Sequence, residues 1–307
     1  MSGAISDLCG SGDFERMAAL LESSGEYRIL RRLGPLARFD ASPLDTSIRL
    51  GVFVDVETTG LDPASDEILE LAMVSFRYST DGRILGIGES FEALRDPGCP
   101  IPPPVTSLTG ITHAVVAGRK IDPADVAEFV APAALVVAHN SEFDRRFCER
   151  LCAVFARKPW GCSLRDVSWS EEGFVDGAKL ANLATAFGFF YEGHRAVHDC
   201  HAGVVLLSKT LPRSGRSVLS ALLQSARAPR WRVWATGAPF TLRQVLKSRN
   251  YKWNSGGIGR PRAWYADIEE EALEAEKVFL RTHVYRNDNA VIDVRPVTAL
   301  DRYSIRS

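Results

Sequence analysis

The chain has 307 residues, of which 46% are hydrophobic and 24% are charged, and its formal net charge is −1. These values are close to the averages of folded globular proteins, so they exclude intrinsically disordered, collagen-like and disulfide-scaffold proteins. The length predicts one domain of ordinary size with flanking modules.

The lack of a recognisable targeting segment and the pattern of cysteines both favour a cytoplasmic location. The first residues contain no basic segment followed by an apolar one, and nowhere do about 18 apolar residues run together, which argues against secretion and membrane spanning. The six cysteines are scattered and form no CxxC pair, as expected of reduced thiols.

Residues 1–48 predict a helical N-terminal extension. Four apolar side chains recur there at helical spacing, namely Phe14, Met17, Leu20 and Leu21. A second apolar and basic stretch covers residues 27–33, and Pro35 and Pro43 are expected to end the helical region.

From residue 50 the pattern changes to β-branched strands. Three runs, the first from residue 50 and the others at residues 68–79 and 84–94, are joined by tight connections and predict an antiparallel meander. Residues 96–112 carry five prolines, so we expect a loop without regular structure.

Helices and one further strand alternate after this loop. In chain order we expect helix 123–130, strand 134–138, helix 142–155 and helices near 178–187 and 197–211. Three antiparallel strands followed by alternating helix and strand predict an α/β domain over residues 49–211, with a mixed sheet flanked by helices.

The segment after this domain is strongly basic. Between Cys200 and Ala266 there is no Asp or Glu, but there are twelve Lys or Arg residues. We interpret residues 212–229 as a linker and residues 230–307 as a small α+β module. Within the module we expect two helices and a strand, at residues 242–249, 268–277 and 278–285.

Aromatic and basic residues interleave in this module, around Trp231, Trp253 and Trp264. Such surfaces suit single-stranded nucleic acids, since rings stack on bases and cations follow phosphates. The alternative is that the aromatic residues form the core of a small domain and the basic residues its solvated face.

Two acids stand at the end of the first strand. Asp55 and Glu57 are two residues apart, and because strand side chains alternate, both leave the same face. They lie just before Gly60, at the carboxyl end of the strand, where open α/β sheets usually place ligands. Taken alone, such a pair is more often a solvated strand end in a turn than a ligand site.

Two further acids each begin an apolar helix. Asp144 is followed by Phe147 and Asp199 by Gly203, so both acids are expected to face inward. A buried charge without a partner is costly and demands a cation or strong donors. For Asp144 the alternative is a helix N-terminal acid favoured by the macrodipole. His194 lies five positions before Asp199 and supplies a titratable imidazole.

Four inward acids would repel one another unless cations lay between them. Carboxylate oxygens are the ligands that Mg²⁺ and Mn²⁺ prefer. Two such ions about 4 Å apart can activate a water and stabilise the leaving oxygen of a phosphodiester. A neutral histidine can accept the proton of that water. The constellation therefore predicts phosphodiester hydrolysis with two divalent cations, Mg²⁺ or Mn²⁺.

Three ordered motifs resemble those of the DnaQ-like, or DEDDh, exonuclease family. The first reads VDVETTGLDPASDEILELAMV at residues 54–74, the second AHNSEFD at 138–144, and the third HRAVHD at 194–199. The resemblance covers residues 47–210. The family includes the proofreading subunit of bacterial replicative polymerase, and it implies a ribonuclease H-like fold.

The resemblance also implies roles for individual residues. Asp55, Glu57 and Asp199 would bind the metals directly, Asp144 would complete the set, and His194 would be the general base. The 3′-terminal nucleotide would be received by a further group of residues, namely Thr58, Thr59, Gly60, Leu61, Asn140 and Phe143.

The implied activity is that of a 3′→5′ exonuclease, which releases nucleoside monophosphates from single-stranded DNA ends. An RNA-directed exoribonuclease and a non-catalytic nucleic-acid-binding protein are the alternatives. A replication or repair protein is a candidate partner, and no membrane partner is expected. The H-x4-D spacing selects His194 over His198 as the base. Zinc bound by His194, His198, Cys200 and His201 is a further alternative, but it leaves the acids of the first strand unexplained.

Overall fold

The N-terminal segment is helical at first and then extended. The computed structural model describes residues 11–34, 47–257 and 260–306. Helix α1 covers Ser11–Ser23, as the apolar stripe predicts. The helix predicted over residues 27–33 is wrong. This stretch is extended, and strand β1, Arg31–Arg32, pairs in parallel with strand β7, Phe189–Phe190. The predicted ends at Pro35 and Pro43, and residues 1–10, lie outside the described residues.

A five-stranded mixed sheet forms the centre of the protein, which confirms the predicted α/β class. Strands β2, β3 and β4 form the predicted antiparallel meander, whereas β5 and β6 join β2 in parallel. The strand order is β4-β3-β2-β5-β6. These strands are β2 (Ile48–Thr58), β3 (Ile68–Ser79), β4 (Ile84–Leu94), β5 (Leu135–Ala138) and β6 (Trp160–Cys162).

Helices cover both faces of the sheet. They are α2 (Pro103–Thr109), α3 (His113–Val116), α4 (Pro123–Val130), α5 (Ser141–Leu151), α6 (Leu180–Ala186), α7 (Ala196–Ser208) and α8 (Val218–Arg227), with a 3₁₀ turn at Ala153–Arg157. In the described part of the chain, no helix is long and apolar enough to span a bilayer.

The proline-rich segment 96–112 is not entirely irregular, because it contains α2. Pro103 and Pro104 occupy the first positions of this helix, where the missing N–H groups would have had no intrahelical partner. The helix ends at Gly110, whose φ of 71° is readily adopted by glycine. The prediction of a loop without regular structure was therefore wrong for these residues.

Alternation along β2 sends its apolar side chains into two different cores. Phe53 packs with α7 on one face, whereas Val52 and Val54 pack with α4 and α5 on the other. Helix α7 is buried along almost its whole length against β2 and β3. The strand and the helix that carry the predicted acids are thus held rigidly against each other.

The segment 212–229, predicted as a linker, contains α8. Ser217 caps this helix by accepting a hydrogen bond from Ser220 N at 3.0 Å. Val218, Leu219 and Leu222 are fully buried in the same core as Phe53. The linker prediction is wrong for this part, because these apolar residues recur at helical spacing and pack against the sheet.

The C-terminal module contains a second sheet, with strand order β11-β8-β10-β9. Its elements are β8 (Arg230–Ala235), α9 (Arg243–Ser248), β9 (Lys252–Asn254), β10 (Ala263–Glu269), α10 (Leu273–Phe279) and β11 (Asp293–Val297). The predicted helix over 268–277 begins late, after the end of β10. The strand predicted over 278–285 is wrong, because this stretch completes α10 and continues as the π-helix Leu280–Tyr285. Leu273, Leu280 and Val284 thereby pack into the core of the module.

The last residues of the chain return to the central domain. Arg145 of α5 is fully buried, and its guanidinium donates to the carbonyl oxygens of Arg302 at 2.6 Å and Leu300 at 2.7 Å. Tyr303 Oη donates to Asp166 Oδ1 at 2.8 Å. The C-terminal module is therefore attached to the domain at both of its ends.

Candidate metal and catalytic site

Three carboxylates converge at the end of β2. Asp55 and Glu57 leave the same face of this strand, as period-two alternation requires. Asp199, in the first turn of α7, approaches them from the helix. One carboxylate oxygen from each of the three acids lies within 4.8 Å of the other two. The two motifs, 142 residues apart in the sequence between Glu57 and Asp199, thus meet at one point.

Asp199 is held by donors from the loop that precedes α7. Tyr191 Oη donates to its Oδ1 at 2.8 Å, and the backbone N–H of His194 donates to its Oδ2 at 2.8 Å. His194 has a φ of 64°, an uncommon left-handed conformation for a residue other than glycine. This conformation places the backbone N–H of His194 on the Asp199 carboxylate.

Asp144 is the most buried of the four acids. It is only 3% exposed, and its Oδ1 accepts a hydrogen bond from the backbone N–H of Val56 at 3.2 Å. Val56 stands between Asp55 and Glu57 on β2, so Asp144 ties α5 to the strand that carries them. Asp144 is not one of the three acids whose oxygens meet within 4.8 Å.

The acids raise one another's pKa values. Burial, followed by the charges of Asp144 and Asp199, raises the pKa of Asp55 well above its ordinary value. Burial and the charge of Asp199 raise the pKa of Glu57 to about 7. Burial also raises the pKa of Asp144 and of Asp199, although the hydrogen bond from Tyr191 opposes the shift at Asp199. Without a counter-charge, the fold holds these groups in an electrostatically unfavourable arrangement.

This arrangement fits divalent cations. Partly buried carboxylates whose oxygens converge are the donor set that hard cations such as Mg²⁺ and Mn²⁺ prefer. A bound cation would oppose both burial and the repulsion between the acids, the two effects that raise the pKa values of Asp55 and Glu57. In the described part of the chain, the one group of His, Cys, Asp and Glu side chains close enough to hold an ion is Asp55, Glu57 and Asp199.

The alternative zinc site is not formed. Cys200 is buried, and its Sγ contacts the carbonyl oxygen of Ala72 at 3.4 Å. His198 Nδ1 contacts the carbonyl oxygen of Glu192 at 3.0 Å, and His201 Nε2 lies 3.4 Å from Ser90 Oγ. The histidines and the cysteine therefore point to different surroundings, and the zinc interpretation was wrong.

The turn after β2 is well ordered by its own contacts. Thr58 and Thr59 are buried, and their hydroxyl groups donate to Gly60 O and to Asp66 Oδ1. Leu61 follows with 84% of its surface exposed. The turn thus presents the Leu61 side chain to solvent.

Asn140 and Phe143 lie at the start of α5. Asn140 is exposed, and its side chain makes no capping hydrogen bond to the helix. Phe143 is partly buried and packs against Phe147, with ring centroids 5.0 Å apart. Both residues lie within four positions of Asp144 at the start of α5.

Glu70 is a residue that sequence reasoning missed. It stands opposite Glu57 in the β2–β3 register and is only 2% exposed. It accepts hydrogen bonds from Arg195 Nη2 at 3.0 Å and from the backbone N–H of Ala196 at 3.1 Å. Glu70 therefore fixes the start of α7 beside the acids. The signal in the sequence was a single charged residue within the apolar run of β3.

Residues 52–207 match the sequence profile of the RNase_T family, which is described as exonuclease. The match covers just over half of the chain. It begins within β2 and ends within α7, so it includes all four acids and His194.

Similar proteins belong to bacterial DNA polymerase III. The subunit epsilon of Aquifex aeolicus is 31% identical over 167 residues, which are 52% of this chain and 79% of that protein. The PolC-type polymerase of Caldanaerobacter subterraneus subsp. tengcongensis is 30% identical over 167 residues, 53% of this chain and 12% of that protein. The chain thus spans about a tenth of the length of the PolC-type relatives.

Solved structures that match this chain include nuclease complexes. Exonuclease X in complex with 5′ overhanging duplex DNA is 26% identical, with a TM-score of 0.43, and covers 57% of this chain and 98% of that chain. Escherichia coli exonuclease I in complex with a dA16 oligonucleotide is 16% identical, with a TM-score of 0.45, and covers 78% of this chain and 68% of that chain.

Proposed function

This chain belongs to the exonuclease family of the RNase_T profile, and from that premise we propose that it is a 3′→5′ exonuclease acting on single-stranded DNA. It would release nucleoside monophosphates with two divalent cations, Mg²⁺ or Mn²⁺. The observation that carries this proposal is the convergence of Asp55, Glu57 and Asp199 within 4.8 Å. We assign catalysis to residues 49–211, with α8 packed onto them.

The four acids of the site would together bind the cations. Asp55, Glu57 and Asp199 offer converging oxygens, and Asp144 would complete the set. When bound, the cations would activate a water and stabilise the leaving oxygen of the phosphodiester. The hydrogen bonds from Tyr191 and His194 keep the Asp199 carboxylate in place, so less ordering is required when a cation binds.

His194 would accept the proton of the attacking water. Its side chain is exposed, and its backbone N–H is bonded to Asp199, so the imidazole is tethered at the edge of the acid cluster. His198 is also exposed, but its Nδ1 contacts the carbonyl oxygen of Glu192. This contact leaves Nε2 of His198 able to accept a proton, so the choice of His194 rests on the H-x4-D spacing of the family motif.

The 3′-terminal nucleotide would lie between the turn after β2 and the start of α5. Leu61 would contact the base or sugar with its exposed apolar side chain, and Asn140 would donate to or accept from the nucleotide. Phe143 would form the wall between them. The backbone of Thr58, Thr59 and Gly60 would line the approach to the acids, since both threonine side chains are already engaged.

The relatives favour DNA as the substrate and a replication or repair setting. They are DNA polymerase III proteins, and the epsilon subunit of Aquifex aeolicus matches this chain over 79% of its length. A replication or repair protein is accordingly the partner we propose. RNA is the competing substrate, because the chain covers little of the PolC-type relatives and the 2′-hydroxyl is discriminated by local contacts.

The proposal is tested with a single-stranded DNA oligonucleotide labelled at its 5′ end. With Mg²⁺ or Mn²⁺, the labelled product should shorten progressively from the 3′ end and mononucleotides should appear. EDTA should abolish the reaction. The same oligonucleotide made of RNA ranks the two substrates, and a 3′-phosphate-blocked DNA tests the need for a free 3′ end.

Different results would redirect the assignment. Immediate release of the 5′-terminal label would indicate a 5′→3′ polarity. Faster shortening of RNA than of DNA would indicate an exoribonuclease. Tight DNA binding without hydrolysis under either cation would favour the non-catalytic alternative.

A further inference from the structure

A cavity of about 380 Å³ lies between the exonuclease domain and the C-terminal module. Helix α5 contributes one wall, and strands β8, β9 and β10 contribute another. Two acids line it, Glu142 and Asp267. Six cationic side chains line it as well, namely Arg146, Arg165, Arg230, Arg232, Lys252 and Arg302.

The positive charge of this cavity is not fully neutralised. Glu142 is the single carboxylate shared by three cations. The distances from their side-chain nitrogens to a Glu142 carboxylate oxygen are 2.8 Å for Arg165, 3.1 Å for Lys252 and 3.2 Å for Arg146. One negative charge against three positive charges leaves a local surplus. Arg165 and Lys252 have 43% and 49% of their side-chain surface exposed, so both can reach a second anion.

The deeper arginines of the cavity have their own carboxylates. Arg232 pairs with Asp267 at 2.6 Å, and Arg302 approaches Asp166 at 3.4 Å. Burial, together with the positive charges of Arg232 and Arg146, lowers the pKa of Arg260 nearby. The surplus therefore lies toward the open side of the cavity, at Glu142 and its three partners.

Strand alternation in the C-terminal module creates this basic wall. Arg232 and Tyr265 lie on one face of the sheet, and Lys252 is the register partner of Tyr265. Trp264 lies on the other face and packs into the core of the module. The interleaved aromatic and basic pattern of the sequence therefore separates only in part, because the Arg232 guanidinium lies over the Tyr265 ring, 4.5 Å from its centroid. Most of its aromatic residues are packed in the interior, and the basic residues that line the cavity face the exonuclease domain.

The cavity is preformed, because the module cannot easily move away from the domain. Arg302 donates to the carbonyl oxygens of Ser225 and Ala228, each at 2.7 Å, and Ser304 Oγ donates to Glu149 at 2.7 Å. A rigid arrangement of cations reduces the entropic cost of binding an anion.

We propose that this cavity binds a backbone phosphate of the same strand whose 3′ end lies at the acids. The inference rests on the proposed exonuclease function. Glu142 and Arg146 flank the catalytic acid Asp144 on α5, and a helix is about 10–12 Å in diameter. The cavity therefore lies on the side of α5 that faces away from the acids. Nucleotides that precede the 3′-terminal nucleotide can reach it. A phosphodiester group carries one negative charge, which the surplus positive charge around Glu142 can accommodate.

The experiment compares long and short substrates in charge-altered variants. Arg165→Gln and Lys252→Gln each remove one exposed cation and leave Glu142 paired with Arg146. Binding of a fluorescent single-stranded DNA of about twelve nucleotides is measured with Ca²⁺ across a salt series, and hydrolysis of a dinucleotide is measured with Mn²⁺. Each variant should weaken long-strand binding and reduce the slope of log affinity against log salt by about 0.7. Dinucleotide hydrolysis should equal that of the unaltered protein.

Two further variants guard against a trivial result. Glu142→Gln removes the competing carboxylate and should tighten long-strand binding, an outcome that damage to the fold would not produce. Arg83→Gln removes a cation from the β3–β4 turn, at the opposite end of the sheet from Glu57, and should leave both measurements unchanged.

The outcomes separate this proposal from the one on which it rests. Equal long-strand affinity and salt slope in Arg165→Gln, Lys252→Gln and the unaltered protein would overturn the phosphate site. Equal losses for long and short substrates would overturn it too, because the variants would then act on the terminal nucleotide. Failure of the unaltered protein to hydrolyse any substrate would refute the exonuclease proposal, while the binding series would still report on the cavity.

Discussion

Gly203 of α7 lies against the ring of Phe53 on β2, so closely that a Cβ atom added to Gly203 would stand 2.1 Å from Phe53 Cζ. Asp199 is one helical turn before Gly203, and Asp55 is two residues after Phe53. The absence of a side chain at Gly203 therefore lets the helix approach the strand closely enough for the two carboxylates to meet.

Replacing Gly203 with alanine should push α7 away from β2. Overpacking of a dense core costs about 1–3 kcal/mol, so the midpoint of thermal unfolding should fall. Hydrolysis well below that midpoint should also fall, since Asp199 moves away from Asp55. Gly12→Ala is the control, because an added Cβ in α1 would meet nothing within 4 Å. A Gly203→Ala protein with unaltered stability and activity would show that the contact does not set the spacing.

Replacing Asp55 with asparagine should remove cation binding while the fold is retained. The variant keeps the shape of the side chain but loses one of three converging charges. Mn²⁺ binding by calorimetry should become undetectable, and the rate should fall about 10³-fold or more. Without cations the variant should melt at a higher temperature, because repulsion from Asp144 and Asp199 is relieved. Asp125→Asn, on the exposed surface of α4, is the matched control. Normal Mn²⁺ affinity in Asp55→Asn would exclude this residue as a ligand.

Replacing His194 with glutamine should lower the rate roughly 10²- to 10⁴-fold, whereas His198→Gln should change it little. Mn²⁺ affinity should be unaltered in both proteins, because neither imidazole belongs to the acid cluster. Single-turnover rates with saturating Mn²⁺ provide the comparison. Equal losses in the two variants would mean that the base has been assigned to the wrong histidine.

Replacing Glu70 with glutamine should impair catalysis through the position of α7. Loss of a hydrogen bond between charged groups costs about 1.5–3 kcal/mol, here at the contact with Arg195. Because the charge of Glu70 also raises the pKa of Glu57, the acidic limb of the pH–rate profile should move to lower pH. A merely structural role would lower the melting temperature without moving that limb. Glu89→Gln, at an exposed position of β4, should do neither.

The stabilisation of the protein by cations should increase with pH. Burial and the charges of Asp199 and Glu70 raise the pKa of Glu57 to about 7, against a partial opposing effect of Arg195. The cation-free fold thus binds this proton more tightly than the unfolded chain does. Protonated Glu57 therefore stabilises the cation-free fold fully below its unfolded pKa of about 4.3. This stabilisation is lost as the pH rises through about 7.

Melting temperatures with EDTA and with Mn²⁺ measure this effect. The difference between the two curves should grow from about pH 4.3 to pH 7, because deprotonated acids bind the cation and protonated ones do not. Asp55→Asn should flatten the difference. A constant difference across this range would show that the acids do not titrate together with cation binding.

Local patterns in the sequence determined the exonuclease motifs and the mixed sheet. The alternation that aligns Asp55 with Glu57 involves neighbours in the chain, and so does the spacing from His194 to Asp199. Period-two and helical repeats describe side-chain directions within one element, and such directions do not depend on what the element packs against. The α/β class, the β2–β4 meander, strand β5 and helices α4 to α7 could therefore be predicted, whereas β1, α2, α3, β6 and β7 were not.

The tertiary structure alone decided how distant segments meet. Nothing near Glu70 in the sequence reveals that it faces Glu57, because that relationship depends on the register of two strands. The segment 212–229 resembles a linker by composition, yet its apolar residues complete the core beneath β2. Residues 278–285 have strand-like composition, but burial of Leu280 and Val284 favours a helix. The basic cavity likewise exists only because the chain end attaches the C-terminal module to α5, since charges far apart in the sequence acquire a common field only when packing brings them together.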